Sequence, residues 1–210
     1  MKTISSKQIL ISKFRYPNKL TTVILASSSP RRRAIFKRLK IPFGVVEHRI
    51  SEKLKIRDPV RYVKTMARLK AEAVSRSAKG LIVSVDTVVV FDNRILGKPR
   101  DRREARAMLN LLSGRVHRVL SAITVIDTNR KCRKEAMEET KVKFRRLTQP
   151  EIENYINSPE PYDKAGGYGI QGRAGLFVEW INGCYWNVVG LPVARLLKLL
   201  EVSCLNLNSH

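Results

Sequence analysis

The run Leu81-Ile82-Val83-Ser84-Val85-Asp86-Thr87-Val88-Val89-Val90-Phe91 constrains this chain more than any other stretch. It is the most apolar segment and is rich in β-branched valine. It therefore reads as a central strand, or two strands that continue one another. Asp86 interrupts it. An ionised carboxylate there is costly unless it is paired, bound to a metal or placed at a cleft-facing strand end. Few structural explanations suit a lone aspartate between Val85 and Thr87, and perturbed carboxylates concentrate at active sites. Asp86 is the strongest single-residue candidate in the sequence.

A lysine falls on another apolar face. Asp58-Pro59 opens a helix by cap and first-turn chemistry, with Val60, Val63, Ala67, Ala71 and Val74 at helical spacing. Lys70 projects within that apolar stripe, between Met66 and Val63. It either snorkels to the stripe's edge or points into a cleft that holds an anion.

A second unusual stretch, Ser27-Ser28-Ser29-Pro30-Arg31-Arg32-Arg33, joins the apolar Val23-Ile24-Leu25 to a helix with Ile35 and Leu39 on its inner edge. Ser29 suits the N-cap and Pro30 the first helical position. Hydroxyls and guanidinium groups thus gather where backbone N–H groups point outward and anions are favoured. The stretch reads as a phosphate cradle or as a surface helix with ordinary capping, and alone it does not choose.

The rest alternates strand-like and helix-like segments, so an α/β or α+β fold is expected. Ile41 to Ile50 reads as a short strand, and Asp92-Asn93 as a hairpin turn into Arg94-Ile95-Leu96. Asp101 and Glu104 form a capping box for a helix that Gly114 ends. A strand through Val119, Ile123 and Val125 pairs with Glu138 to Leu147. His117, at that strand's start, reads as a hydrogen-bonded surface residue. Gln149-Pro150-Glu151 starts a further helix. The loop Tyr162 to Gly172 follows, whose clustered glycines permit close backbone approach to a ligand. Tyr168 in it could stack on a base or plug the core. Asn182-Gly183 reads as a hairpin turn between strands Leu176–Ile181 and Cys184–Val189, and Pro192 to Leu200 as a closing helix.

Composition narrows the partners. Lys plus Arg number 41 against 18 acids, a formal charge of +23 in 210 residues, so polyanions are attracted: nucleotide phosphates, nucleic acid or anionic lipid. No apolar run reaches the ~18 residues of a membrane span. Cys132, Cys184 and Cys204 lack metal or disulfide spacing, which suggests reduced thiols and a cytoplasmic location. Residues 1–21 read as a basic N-terminal extension, 22–200 as one domain and 201–210 as a tail.

Five segments occur in one order: Ala26-Ser27-Ser28-Ser29-Pro30-Arg31-Arg32, Asp86-Thr87-Val88-Val89, Leu96-Gly97-Lys98-Pro99, Leu112-Ser113-Gly114-Arg115-Val116-His117, and Asp163-Lys164-Ala165-Gly166-Gly167-Tyr168-Gly169-Ile170-Gln171-Gly172. Together they resemble the Maf family of nucleoside triphosphate pyrophosphatases. The resemblance implies an elongated α/β fold with a mixed sheet and a central cleft between two lobes, similar to inosine triphosphate pyrophosphatases. It implies hydrolysis of a nucleoside triphosphate to the monophosphate and pyrophosphate with Mg²⁺ or Mn²⁺, and a homodimer. The Asp-Thr-Val-Val and Tyr-Gly-Ile-Gln-Gly forms look like the branch acting on dTTP and UTP.

By that similarity Asp86 is the proton acceptor, and Arg31, Thr87 and Gln171 set substrate choice. Glu52, Lys70 and Lys98 match further cleft residues. Ser27, Arg31 and Arg32 would bind phosphate, and Asp86 with Glu52 would hold the metal. Val85 stands where the family usually has a smaller residue, which would narrow the cleft slightly. Gln171 offers both a donor and an acceptor to a pyrimidine edge carrying O4 and N3–H. Two other readings compete: a non-catalytic basic nucleic-acid-binding protein, and a house-cleaning hydrolase of non-standard nucleotides. Residues 31–76 hold fifteen Lys or Arg against four acids, which suits a phosphate backbone. However, aromatics are not interleaved there, and that reading leaves Asp86 without a purpose.

Overall fold

The computed structural model describes residues 22–51 and 54–204. Glu52, the basic N-terminal extension and the tail beyond residue 204 lie outside the described residues. The elements are β1 (Val23–Leu25), α1 (Pro30–Arg38), β2 (Phe43–Val45), α2 (Pro59–Ser75), β3 (Leu81–Phe91) and β4 (Arg94–Leu96). They continue with α3 (Arg102–Leu112), β5 (Val116–Asp127), β6 (Cys132–Phe144), α4 (Gln149–Ile156), β7 (Val178–Asn182), α5 (Tyr185–Val189) and α6 (Val193–Cys204). Three short 3₁₀ turns, Glu160–Asp163, Ala165–Gly167 and Arg173–Phe177, carry the chain from α4 to β7.

Among the described residues the strands form one mixed sheet in the order β2-β1-β3-β5-β6-β7, with β4 also on β3. β3 is a single unbroken strand, and β5 runs antiparallel to it from Leu81 to Val90. Its other edge is shared. β1 pairs in parallel with Leu81–Val83, and β4 pairs antiparallel with Val89–Phe91. Ser84 to Val88 therefore have no strand partner on that edge among the described residues, and Asp86 and Thr87 lie in this gap. A sheet opened at the carboxyl end of a parallel strand is a common place for a ligand site.

Side chains alternate across the strand, so Asp86 and Thr87 face opposite ways. On the Asp86 face, α2 covers the sheet. Its Ala71 and Val74 pack on Ile82, and its Val63 and Ala67 pack on Val88 and Val90. Lys70 falls between those two contacts. On the Thr87 face the core divides in two: Val83 and Val85 join a cluster with Ile35, Phe36 and Leu196, while Val89 joins one with Leu109, Ile152 and Phe177. Thr87 lies between the clusters, and that division makes the expected two lobes and central cleft.

Several expectations need correction. Cys184–Val189 is not a strand: Cys184 is the N-cap of the short helix α5, Tyr185–Val189, which Gly190 ends at φ 116°. The β-favouring sequence Tyr-Trp-Asn-Val-Val is overridden because Asn187 is fully buried, where its amide donates to the Val119 carbonyl (2.9 Å) and Thr140 Oγ1 (3.0 Å). The strand before it is Val178–Asn182, and Leu176 precedes it in a 3₁₀ turn. The strand expected over Ile41–Ile50 is only Phe43–Val45. β6 begins at Cys132 rather than Glu138, its polar first half masking a strand that pairs along the whole of β5. The box at Asp101 is half made: Asp101 Oδ1 accepts the Glu104 N–H (2.8 Å), but Glu104 turns to the Arg100 N–H (2.7 Å) and guanidinium. No helix of the described residues is long and apolar enough to cross a membrane.

Candidate active site

The gap in the β3 edge opens into a cavity of about 660 Å³. The loop after β1 and the start of α1 form one wall, the glycine-rich loop forms the opposite wall, and β3 forms the floor. Ser27, Arg31, Arg32, Lys70, Asp86, Thr87, Lys98 and Gln171 all line it. The structure thus brings together every described residue that the sequence reading put forward.

Lys70 and Asp86 meet at its base. Lys70 Nζ donates to Asp86 Oδ1 at 2.7 Å, with the two side chains 3% and 10% exposed. Lysine on an apolar helix face therefore points into the cleft and does not snorkel. The helix can bury it because β3 places a carboxylate opposite, within the stretch where the sheet edge is open among the described residues.

The arginines divide their work. Arg32 Nε donates to the Gly190 carbonyl (2.9 Å), Nη1 to Ser27 Oγ (3.2 Å) and Nη2 to Thr87 Oγ1 (3.1 Å). It ties the α1 wall to the strand floor and the Gly190 turn. Arg31 lies at the rim, in an ion pair with Asp163 at 2.9 Å. Burial pushes the Asp163 carboxyl upward, but the Lys164 and Arg31 cations outweigh this and hold it below its usual range. Ser27 is buried and also accepts the Ser29 N–H at 3.2 Å. Ser29 sits at the N-cap, as expected, yet its side chain makes no capping bond. The Ser27 hydroxyl takes that amide and so shapes the wall.

The glycine-rich loop is held from behind. Gly166, at φ 71°, donates its N–H to the Gly97 carbonyl beside Lys98 (2.9 Å), and a Cβ there would meet Val89 at 2.9 Å. Tyr168 is a core plug whose hydroxyl meets His117 Nε2 at 2.7 Å, its ring packed against Phe144. His117 is 1% exposed, not at the surface as expected, and burial pushes its pKa down to about 4. Val85 packs in the core and does not line the cavity, so it does not narrow the cleft.

The sequence reading did not single out Glu160, Gly190 or Ser121. Glu160 lines the cavity and holds the loop by accepting from the Tyr155 hydroxyl (3.1 Å) and the Arg173 N–H (3.1 Å). Ser121 lies behind Thr87, their hydroxyl oxygens 2.8 Å apart. Neither stands out in sequence, because only the fold brings it to the cleft.

A family model described as "Maf-like protein" matches residues 22–203. The chain belongs to that family. Among curated relatives, a protein of Carboxydothermus hydrogenoformans named "dTTP/UTP pyrophosphatase" is 47% identical over 180 residues, covering 85% of this chain and 97% of the relative. One of Thermococcus onnurineus with the same name is 47% identical, covering 86% and 97%. Among solved structures, the Staphylococcus aureus Ham1 protein aligns at a TM-score of 0.52 and 12% identity, covering 87% of this chain and all of the other. That likeness supports the fold alone.

Four of the five motifs thus contribute to one cleft with cations on both walls and a carboxylate on its floor, while Leu112–His117 reaches it only through the His117 contact to Tyr168. Asp86 supplies the hard oxygen donors that Mg²⁺ or Mn²⁺ prefers, and Mg²⁺ is commonly held by one or two carboxylates with substrate phosphates and water completing its shell. Among the described residues no group of three or more His, Cys, Asp or Glu could hold a metal by itself. The Asp86 carboxylate fits a divalent cation whose shell the phosphates of a bound nucleotide help to complete.

Proposed function

We propose that this chain hydrolyses dTTP and UTP between the α- and β-phosphates, releasing the monophosphate and pyrophosphate. The observation that carries the reading is the buried Lys70–Asp86 pair at the floor of a cation-lined cleft, in a family whose relatives here are named for that activity. A triphosphate must be neutralised before a nucleophile can approach it. Arg31 and Lys98 meet it at the rim, Ser27 and Arg32 line its path, and Lys70 lies deepest. As a phosphate oxygen draws the Lys70 ammonium, the Asp86 oxygen it occupied is released to accept a proton from water. A divalent cation held at Asp86, with Glu52 as second carboxylate, would add positive charge and lower the water's pKa.

Gln171 on the loop and Thr87 on the floor set base choice, Gln171 pairing with O4 and N3–H. Arg31, released from Asp163, adds to that choice through its grip on the nucleotide. Residues 22–200 form the catalytic unit, acting in the cytoplasm as a homodimer, and nucleic acid is at most a secondary partner of the +23 charge. The test is pyrophosphate release from standard and modified triphosphates, with and without chelator, by the parent and by Asp86→Asn. Removing that charge should lower turnover by about 10²–10⁴-fold. An Asp86→Asn protein that hydrolyses dTTP at the parental rate disproves the assigned base. Strong release from modified nucleotides over dTTP would favour the house-cleaning reading.

A further inference from the structure

The hydrogen bonds behind Thr87 carry a direction, and the direction has a consequence for the base. Thr87 Oγ1 lies on the cavity floor with three neighbours: Arg32 Nη2 at 3.1 Å, Ser121 Oγ at 2.8 Å and the Gly190 carbonyl at 3.4 Å. A guanidinium can only donate, so Thr87 accepts from Arg32. Ser121 is fully buried, and Thr87 Oγ1 is its sole side-chain hydrogen-bond partner among the described residues. If Thr87 donated to Ser121, the serine's own proton would be buried with no acceptor, an arrangement folded proteins avoid. Ser121 therefore donates. Both lone pairs of Thr87 Oγ1 are then taken, by Arg32 and by Ser121. Its own proton is left to the cavity or to the Gly190 carbonyl, which at 3.4 Å is far longer than a good O–H···O bond.

We propose that Ser121 is a positioning residue that fixes the Thr87 hydroxyl as a donor toward the substrate, so that the site favours a base carbonyl over an amino group. A hydroxyl able to turn either way would serve thymine and cytosine alike. One locked as a donor meets O4 of thymine or uracil, whereas cytosine places an N–H₂ there and leaves donor facing donor. Sites built on one-way hydrogen bonds reject the wrong partner strongly, because buried polar groups are left unpaired. The inference rests on the reading above that Thr87 contacts the base.

The experiment compares kcat/KM for dTTP and dCTP in the parent, Ser121→Ala, Ser121→Cys and Thr87→Val, with unfolding midpoints to show that each is folded. Ser121→Ala frees one Thr87 lone pair. The dTTP:dCTP ratio should fall about tenfold, with dTTP losing and dCTP gaining, chiefly in KM. Ser121→Cys keeps a weak donor of similar shape and should lie between; it carries the test if the alanine variant does not fold. Thr87→Val should lower the ratio through dTTP alone, with no gain for dCTP. A purely structural serine would lower both nucleotides equally and leave the ratio unchanged, and that result, with Thr87→Val still altering it, overturns the proposal. An unaltered ratio in Thr87→Val, or a parent that does not distinguish the two nucleotides, overturns the reading of Thr87 beneath it.

Discussion

Burial of His117 makes the fold sensitive to mild acid. The ring is closed in by Phe144 and Tyr168, its Nε2 bonded to the Tyr168 hydroxyl, and its Nδ1 is buried with no partner among the described residues. Desolvation lowers its pKa from 6.5 to about 4. The unfolded chain binds a proton at about pH 6.5 and the folded chain only near pH 4, so the unfolded state takes up more protons between those values. Stability contributed by the neutral ring is fully present above pH 6.5 and is lost as pH falls toward 4. Between pH 7 and 4.5 the loss from this one group is about 2 kcal/mol, or roughly 5 °C in melting temperature for a chain of this size. Glu104 and Glu151, held down to about 2 by hydrogen bonds from Arg100 and Arg145 respectively, lose their contribution only as pH falls below about 4.5. The two windows separate. Denaturant midpoints measured at pH 7, 5.5 and 4.5 should therefore decline in the parent and be flatter in His117→Gln, which keeps a polar partner for Tyr168 but does not titrate. Equal slopes in the two proteins would refute the assignment.

The glycine-rich loop and the base contact give two further tests. Gly166→Ala forces a Cβ to within 2.9 Å of Val89 at φ 71°, and should cost about 2–4 kcal/mol in chemical unfolding; a change below 1 kcal/mol would show that the loop relaxes freely. Gln171→Ala should change the ranking of dTTP against other nucleoside triphosphates more than the rate on the best of them, measured as kcat/KM across the panel. An unchanged ranking removes Gln171 from base selection.

How much was legible depended on whether a residue's meaning was local. β3 announced itself by valine, and Asp86 by its cost within that run. Lys70 was visible as a cation on an apolar stripe, but its orientation was not, since snorkelling and burial leave the same periodicity. Only the pairing of Asp86 opposite α2 decides between them. α5 was misread because Tyr185–Val189 has β-favouring residues, while the deciding fact is Asn187, whose buried amide finds acceptors on β5 and β6 far away in sequence. His117 was misplaced for the same reason: a strand start is often exposed, but here the glycine-rich loop folds over it. Ser121 could not have been found at all, since a lone serine in an apolar strand does not reveal its partner and only the register Thr87↔Ser121 puts it behind the substrate floor.

The Lys70–Asp86 pair itself poses a question of economy, and the answer can be measured. Two charges in a nearly dry place gain little net stability from each other, because desolvation offsets most of their attraction. Removing one member of a buried ion pair typically costs about 3–5 kcal/mol, whereas removing both can be close to neutral. If the pair is present for catalysis, Lys70→Met should be strongly destabilising. Lys70→Met with Asp86→Asn should recover much of that loss, giving a coupling energy of several kcal/mol in a double-mutant cycle of denaturant unfolding. Pyrophosphate release from dTTP should follow the opposite pattern, being lost in both single variants and not regained in the double. A double variant less stable than Lys70→Met would mean that the charges hold the fold together. Recovered activity would mean that the cleft does its chemistry without them.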